Sequence, residues 1–265
     1  MFPKLISIGS FYIPTYGVLV AIAFLTGLAV TVKLARRGKL NPETITNLAV
    51  YCALAGLLGA KILMILFDWR VFFSDPREIF SLSTLQAAGV FQGGLVLAFA
   101  TGLYYMWRTG LPWLRTLDTF APGLAIGHAI GRIGCFAAGC CWGIQSNLPW
   151  AVTFHNPDAA ALTGVPLGVP LQPSQLYEML TETAVFAFLY WRFARPHAPG
   201  QIMGMYLVLS SVFRFLIEFT RYHEQGLYAG LSLTQWIAIG VAGAGALLIA
   251  RRSIPAPRVS PPVAA

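Results

Sequence analysis

The chain has 265 residues, of which 57% are hydrophobic and 11% are charged, and its formal net charge is +8. An ordinary soluble domain has about 25% charged residues, so this composition, with a mean hydropathy of +0.66, excludes a soluble enzyme and indicates a polytopic membrane protein. No internal repeat is evident, which argues against a transporter built from inverted halves.

Hydropathy along the chain predicts an all-α bundle of seven transmembrane helices within residues 1–252. The predicted spans are 12–33, 45–67, 87–107, 118–143, 175–192, 200–220 and 231–250. We expect the first span to be a retained helix, because no cleavage site of small residues follows it. The Pro-rich residues 253–265 are expected to form a disordered cytoplasmic tail.

The basic residues predict the orientation of the bundle. Eleven of the 18 Lys and Arg residues follow odd-numbered spans, whereas the opposite side has four, accompanied by five acidic residues. By the positive-inside rule, the N-terminus lies outside and the C-terminus lies in the cytoplasm. The long connection 144–172 is then a periplasmic cap. The positive charges meet anionic membrane lipids, which argues against nucleic acid as a partner.

Apart from the terminal residues of the predicted spans, six charged residues lie inside them: Lys61, Arg132, Glu178, Glu182, Arg214 and Glu218. Ionisable groups at membrane depth are costly and indicate functional sites. A rise of about 1.5 Å per residue puts Arg132, Glu178 and Arg214 about 21 Å from the cytoplasmic ends of their helices. The same count gives about 21 to 25 Å for Lys61, Gln92 and Tyr16. The sequence therefore predicts an anion-binding cavity in the outer half of the bilayer.

Simpler explanations exist for individual members of this set. Lys61 could extend its ammonium group to the interface, and Arg214 and Glu218, four residues apart, could form only an internal ion pair. The convergence of six helices on one depth favours the shared site. Gly93 and Gly94 would allow close helix packing or a helix break beside the cavity.

The chain reads GRIGCFAAGCCWG at 131–143, QPSQLYE at 172–178 and RFLIEFTR at 214–221. These motifs resemble those of the prolipoprotein diacylglyceryl transferases. Residues 131–143, GRIGCFAAGCCWG, are similar to the family signature GRxGNFxNxExxG. The similarity continues in FQGGL at 91–95 (HGGL in the family), QPSQLYE at 172–178 (HPxQLYE), RFLIEFTR at 214–221 (RxxxEFxR), GAKI at 59–62 (GARI) and Tyr16-Gly17. These matches occur in order over most of the chain, and the family's seven spans with an outside N-terminus agree with the predicted topology.

The resemblance implies an enzyme of the bacterial inner membrane. The family moves the diacylglyceryl group of phosphatidylglycerol to the lipobox cysteine of a prolipoprotein signal peptide and releases glycerol 1-phosphate. Arg132 and Arg214 match the family's essential arginines and are expected to bind the phosphate. Glu218 would orient Arg214, and Arg221 would guide the head group or peptide near the outer surface. No metal and no diffusible cofactor is expected.

The expected site is larger than these arginines. The residues expected to bind substrate are Tyr16, Lys61, Gly93, Gly94, Cys135, Cys140, Gly143, Gln175, Tyr177, Glu178, Glu218 and Arg221, and those expected to act in catalysis are Arg132, Arg214, His128 and Gln92.

The chain departs from the family pattern at the residues that exchange protons. Gln92 and Gln172 stand where the family has histidine, and neither amide can accept a proton at neutral pH. His128 lies four residues before Arg132 on the same helix face. We hypothesise that His128 is the proton acceptor; the alternative is a core histidine hydrogen-bonded to a neighbouring helix.

Cysteines replace two other family residues. Cys135 stands at the family's asparagine and Cys140 at its glutamate, and Cys141 follows directly, whereas Cys52 is expected to be a buried apolar residue. The spacing C-x4-C-C is not a usual zinc pattern. The three clustered cysteines could form a disulfide, pack, or supply a thiol that reacts beside Arg132.

Two classes of function follow. The first is a transferase that uses phosphatidylglycerol and modifies either prolipoproteins or another acceptor. The second is an anionic-lipid binding or transport protein that has kept the cavity without the catalysis. Transfer of a labelled diacylglyceryl group to a lipobox peptide would distinguish them.

Overall fold

The computed structural model describes residues 2–8, 11–81, 84, 89–222 and 226–251. The predicted disordered tail, 253–265, lies outside the described residues. The chain divides into two units, one of Met1–Thr31 with Leu117–Ala265 and one of Val32–Thr116. The two units are described separately, and the prediction of one continuous bundle stays a prediction.

Helices account for most of the described chain. In order they are α1 (Thr15–Arg37), α2 (Pro42–Phe67), α3 (Trp69–Ser74), a 3₁₀ turn (Pro76–Phe80), α4 (Phe91–Thr109), α5 (Trp113–Ala138), α6 (Pro157–Thr163), α7 (Ser174–Phe193), α8 (Gln201–Glu218) and α9 (Leu233–Ala250). Each predicted span overlaps one long helix. Among the described residues, five helices (α1, α2, α5, α8 and α9) are long and apolar enough to cross a membrane.

The structure is mostly helical, but it also contains two short antiparallel sheets that an all-α fold did not predict. Lys4–Ile8 (β1) pairs with Phe11–Pro14 (β2), and Val152–Thr153 (β3) pairs with Pro170–Leu171 (β4). Apolar runs of two to five residues fit a strand or the end of a helix equally well, so their periodicity could not identify them.

The segment 144–172 has a small apolar core of its own. Phe154, Ala159, Val165 and Leu171 are buried against one another. Asn156 caps α6, since its side-chain oxygen accepts a hydrogen bond from the Asp158 amide at 2.9 Å. This connection is therefore a folded element with a short helix and a short sheet.

Glycines let helices approach closely within each unit. A Cβ atom on Gly94 of α4 would lie 2.8 Å from the Gly56 carbonyl oxygen of α2, and one on Gly204 of α8 would lie 2.9 Å from the Gly245 oxygen of α9. Backbones that approach this closely leave no room for a side chain. Small residues at these positions hold each helix pair together.

Helix α5 ends at Ala138, five residues before the predicted end of the fourth span. Gly139 has a φ of +81°, a left-handed conformation that favours glycine and commonly ends a helix. The amide of Cys140 then donates a hydrogen bond to the Cys135 carbonyl oxygen at 3.1 Å. Cys140, Cys141 and Gly143 therefore lie on a loop that turns back along the end of the helix.

Candidate active site

The centre of the candidate site is the carboxylate of Glu178 on α7, which is 2% exposed. Arg221 Nη1 donates a hydrogen bond to its Oε1 at 3.0 Å, and Arg214 Nη1 lies 3.6 Å from the same oxygen. Arg132 Nε makes an ion pair with Oε2. Three arginines from different parts of the chain therefore surround one buried carboxylate.

A second carboxylate holds Arg214. Its Nη1 atom lies 2.6 Å from Glu218 Oε2, one helical turn away on α8. The Ser232 hydroxyl donates a hydrogen bond to the other oxygen, Glu218 Oε1, at 2.8 Å. Glu218 is thus fixed between α8 and the start of α9, and Arg214 is directed toward Glu178.

His128 lies between two acidic side chains of α7. Its Nε2 accepts a hydrogen bond from Arg132 Nε at 3.1 Å, and its Nδ1 lies 3.5 Å from Glu182 Oε1. The same Nε2 atom also lies 3.6 Å from Glu178 Oε2. The Ser210 hydroxyl donates to Glu182 Oε2 at 3.2 Å. The imidazole is therefore held between Arg132 and two carboxylates of α7.

Some buried polar atoms of this cluster have no hydrogen-bond partner among the described residues. They include Gln175 Oε1, Glu178 Oε2 and Arg214 Nη1. The last two make ion pairs without hydrogen-bond geometry. Buried polar atoms are usually hydrogen-bonded, and of these three atoms Gln175 Oε1 has no partner among the described residues.

Hydrogen bonds of its backbone hold the loop after α5 against this cluster. Gln175 Nε2 donates to the Cys140 carbonyl oxygen at 2.7 Å, and the Gly143 amide donates to the Gln172 oxygen at 2.9 Å. Gly143 also forms a β-bridge with Arg221. Gly143 therefore has a packing role that needs no substrate contact.

The three clustered cysteines adjoin the arginines. Arg132 Nη1 lies 3.9 Å from Cys135 Sγ. Hydrogen bonds from Cys135 and Cys140, with the charges of Arg221 and Arg132, lower the pKa of the Cys141 thiol. Hydrogen bonds with Cys135 and Cys141, together with burial, raise the pKa of Cys140. Cys141 is the thiol of this group that most readily becomes a thiolate.

Two tyrosines predicted to bind substrate have different surroundings. Tyr16, at the start of α1, packs beside Gly134, where a Cβ atom would lie 3.2 Å from the tyrosine ring. The Tyr177 hydroxyl accepts a hydrogen bond from Trp150 Nε1 at 2.8 Å. Tyr177 therefore contacts the segment 144–172.

Four predicted site residues belong to the unit Val32–Thr116. There Lys61 Nζ donates to the Thr84 carbonyl oxygen at 2.5 Å. Gly93 contacts Gly59, and Gly94 contacts Gly56. Gln92 is exposed near the start of α4. The two glycines form the packing surface between α2 and α4, and roles of these four residues toward substrate stay predictions.

Sequence reasoning did not assign a role to Glu182, and it left the role of Cys141 open. Glu182 is four residues after Glu178, so it projects from the same face of α7, and this spacing was the signal for it. Cys141 has a φ of +61°; the sequence predicted that it lies near Cys135 and Cys140 but gave no sign of this backbone conformation.

Comparison with known proteins identifies relatives of this chain. The family model for prolipoprotein diacylglyceryl transferase matches residues 3–251. A phosphatidylglycerol–prolipoprotein diacylglyceryl transferase of Bordetella parapertussis is 34% identical over 94% of this chain and 95% of its own length. A protein of that name from Methylobacillus flagellatus is 34% identical over 93% and 95%, respectively.

A third relative, phosphatidylglycerol–prolipoprotein diacylglyceryl transferase 2 of Clostridium perfringens, is 30% identical over 88% of this chain and 89% of its own length. Each alignment covers nearly the whole of both proteins and includes the residues around Glu178 and Arg132. The chain belongs to the prolipoprotein diacylglyceryl transferase family.

Proposed function

We propose that this chain is a membrane enzyme that transfers the diacylglyceryl group of phosphatidylglycerol to a prolipoprotein cysteine and releases glycerol 1-phosphate. The observation that carries the proposal is the convergence of Arg132, Arg214 and Arg221 on the buried Glu178 in a chain of this family. The relatives' names contain both substrates. Phosphatidylglycerol, a lipobox signal peptide and membrane lipids are the proposed partners.

The arginines would bind the phosphate of the lipid. Each guanidinium has five N–H donors in a planar fork, and its contact with Glu178 uses one nitrogen. The remaining donors suit the oxygens of a phosphate ester. As the carbon–oxygen bond breaks, charge develops on the leaving phosphate, and donors fixed in a buried site stabilise that charge without reorganisation.

His128 would accept the proton of the attacking thiol. In this role its Nε2 atom, next to Arg132, would take the proton, and Glu182 at Nδ1 would stabilise the imidazolium that forms. This arrangement replaces the proton exchange that Gln92 and Gln172 cannot perform. Removing the proton matters because the thiolate, not the thiol, is the nucleophile.

We also propose seven membrane crossings, with the N-terminus outside, the C-terminus in the cytoplasm and the active site in the outer half of the bilayer. Helices α4 and α7, of 19 and 20 residues, would add two crossings to the five apolar helices. The basic residues support this orientation, and segment 144–172 would cover the site from outside. Reporter fusions after Arg108 and after Arg195 should both report the cytoplasm; a periplasmic signal would contradict the topology.

A transfer assay tests the proposed reaction. The full chain, purified in detergent, is incubated with phosphatidylglycerol labelled in its acyl chains and with a lipobox peptide. We expect label in the peptide and free glycerol 1-phosphate, and neither with a peptide in which serine replaces the cysteine. Lipid binding without transfer would favour the non-catalytic alternative. Glycerol phosphate without labelled peptide would indicate a different acceptor.

A matched pair of variants connects that assay to the site. Arg132→Gln removes a guanidinium that contacts Glu178, whereas Arg108→Gln removes one in the last turn of α4, a position for which we propose no role. We expect transfer to be lost in the first variant and kept in the second. Equal loss in both would contradict the assignment of Arg132 to the phosphate.

A further inference from the structure

Three cysteine sulfurs meet beside the charged cluster. The Sγ atoms of Cys135, Cys140 and Cys141 all lie within 4.8 Å of one another. Cys135 is buried, and the other two side chains are partly accessible. In a tetrahedral zinc site, Zn–S bonds of about 2.3 Å separate the sulfurs by about 3.8 Å. A small rotation of these side chains would bring the three sulfurs to that separation.

The backbone conformation brings these three thiols together, although the spacing C-x4-C-C is not a usual zinc pattern. Gly139 is in the left-handed conformation and ends α5, and the Cys140 amide then donates to the Cys135 carbonyl oxygen at 3.1 Å. Cys141 is also left-handed, with a φ of +61°. Gln175 holds the Cys140 carbonyl oxygen at 2.7 Å. The loop is therefore fixed in the conformation that gathers the thiols.

The surrounding charges suit a cluster of thiolates. Arg132 Nη1 lies 3.9 Å from Cys135 Sγ, and Arg221 pairs through its backbone with Gly143, two residues after Cys141. Three thiolates and one zinc ion carry a net charge of −1, which two adjacent guanidinium groups would offset. Soft thiolate ligands select zinc over hard cations such as magnesium or calcium.

We propose that Cys135, Cys140 and Cys141 bind one zinc ion, and that its fourth coordination position receives the thiol of the acceptor cysteine. Zinc sites with three protein ligands keep a position open for water or substrate, and a thiol that coordinates zinc is deprotonated. The proposal that a metal binds here is based on the geometry of the three sulfurs. The role of its fourth position rests on the proposed transferase function.

The reaction at this site balances as follows. The acceptor thiol binds zinc and loses its proton to His128 Nε2, on the other side of the Arg132 guanidinium. The zinc-bound sulfur then attacks the glycerol carbon that bears the phosphate. A carbon–sulfur bond forms, the carbon–oxygen bond breaks, and the electron pair goes to the phosphate oxygen. The products are a thioether and the glycerol phosphate dianion, and no oxidant or reductant is required.

Metal binding can be measured without any assay of activity. The full chain, purified in detergent with reductant and freed of metal by a chelator, is titrated with Zn²⁺ and, separately, with Co²⁺. We expect one equivalent per chain and near-ultraviolet sulfur-to-cobalt charge-transfer absorption. Cys135→Ser, Cys140→Ser and Cys141→Ser should each weaken zinc binding about tenfold or more. Cys52→Ser changes the remaining cysteine, on α2. This variant should bind zinc as tightly as the unsubstituted chain does.

Several results would overturn the zinc site. One is that neither metal binds saturably, and another is that the cobalt complex shows no sulfur charge-transfer absorption. The others are that the serine variants bind zinc as the unsubstituted chain does, or that two of the three cysteines form a disulfide in membranes. The cobalt spectrum of the unsubstituted chain keeps the test decisive if a serine variant fails to fold.

The fourth position has its own test. A lipobox peptide should alter the visible absorption of the cobalt-loaded chain, and the peptide with serine for cysteine should not. Equal spectra with both peptides would overturn this role. Undiminished transfer after chelation would also overturn it and leave the transferase function standing. Zinc bound in a chain that transfers no lipid would instead contradict the proposed function alone.

Discussion

Arg221 Nη1 donates a hydrogen bond to Glu178 Oε1 at 3.0 Å, although the two residues are 43 positions apart in the chain. Arg221 also pairs through its backbone with Gly143. Glu178 therefore connects the charged cluster, through Arg221, with the loop that carries the cysteines. A change at Glu178 should affect the stability of the protein and the chemistry of the site together.

We expect Glu178→Gln to destabilise the protein. The substitution keeps the size of the side chain but removes the charge that three arginines face. Removing one partner of a buried ion pair costs about 3–5 kcal/mol, because the opposite charge stays buried. Thermal unfolding in detergent measures the effect. Glu43→Gln, at an exposed position of α2, is the control, and equal melting temperatures for the two variants would contradict the prediction.

We expect Arg214→Lys to slow transfer with little effect on stability. The lysine ammonium can still pair with Glu218, but it lacks the planar fork that binds two phosphate oxygens. Loss of one donor to a developing oxyanion typically lowers the rate by about 100-fold or more. Single-turnover transfer is the measurement, with Arg108→Lys as the matched change. A wild-type rate in Arg214→Lys would show that a single positive charge is sufficient.

We expect His128→Gln to lower kcat about 100-fold or more, because glutamine cannot accept a proton. A general base acts in its neutral form, so transfer by the unsubstituted chain should decline on the acid side as the histidine becomes protonated. The variant should lose this acid-side decline. His155→Gln, an exposed change in segment 144–172, should keep both the rate and the pH profile. The full rate in His128→Gln would eliminate the proposed base.

Hydropathy was enough to predict where the long helices lie, and counting residues along them brought Arg132, Glu178 and Arg214 to one depth. Depth does not specify which side of a helix faces a neighbour. The count therefore gave Lys61 and Gln92 the same weight as Arg132, and the roles of these two residues, which belong to the unit Val32–Thr116, stay predictions. It also could not identify Arg221 as a partner of Glu178.

The sequence predicted where α5 lies, but it did not predict the residue at which α5 ends. Hydrophobic residues continue beyond Gly139, and only the left-handed conformation of this glycine stops the helix there. That turn determines where Cys140 and Cys141 lie. The sequence predicted that the three cysteines cluster, but the backbone conformation that brings their thiols together could not be read from their spacing.

We expect Asp118→Ala to lower stability and to leave the chemistry of the active site unchanged. Asp118 is buried, and its carboxylate accepts hydrogen bonds from the amides of Gly200 at 2.5 Å and Met203 at 2.9 Å, at the start of α8. Leaving such buried donors unpaired costs about 1–3 kcal/mol. Asp68→Ala is the control, because Asp68 precedes α3 without a side-chain cap. Similar melting temperatures for these variants would contradict the capping role.

Gly143→Ala should destabilise the loop that joins the cysteines to Arg221. A Cβ atom on Gly143 would lie 2.5 Å from Ser174 Oγ and 2.6 Å from the Gln172 carbonyl oxygen. Overpacking of this kind costs about 1–3 kcal/mol. We therefore expect a lower melting temperature and reduced transfer.

Gly240→Ala is the matched control for this change. Gly240 lies in α9, and a Cβ atom there would meet no atom within 4 Å, so alanine should stabilise the helix by about 0.5–1 kcal/mol. The two substitutions add the same methyl group and should shift the melting temperature in opposite directions. If Gly143→Ala instead kept its stability and lost only transfer, Gly143 would contact the substrate, and the tight backbone packing around it would not explain the glycine.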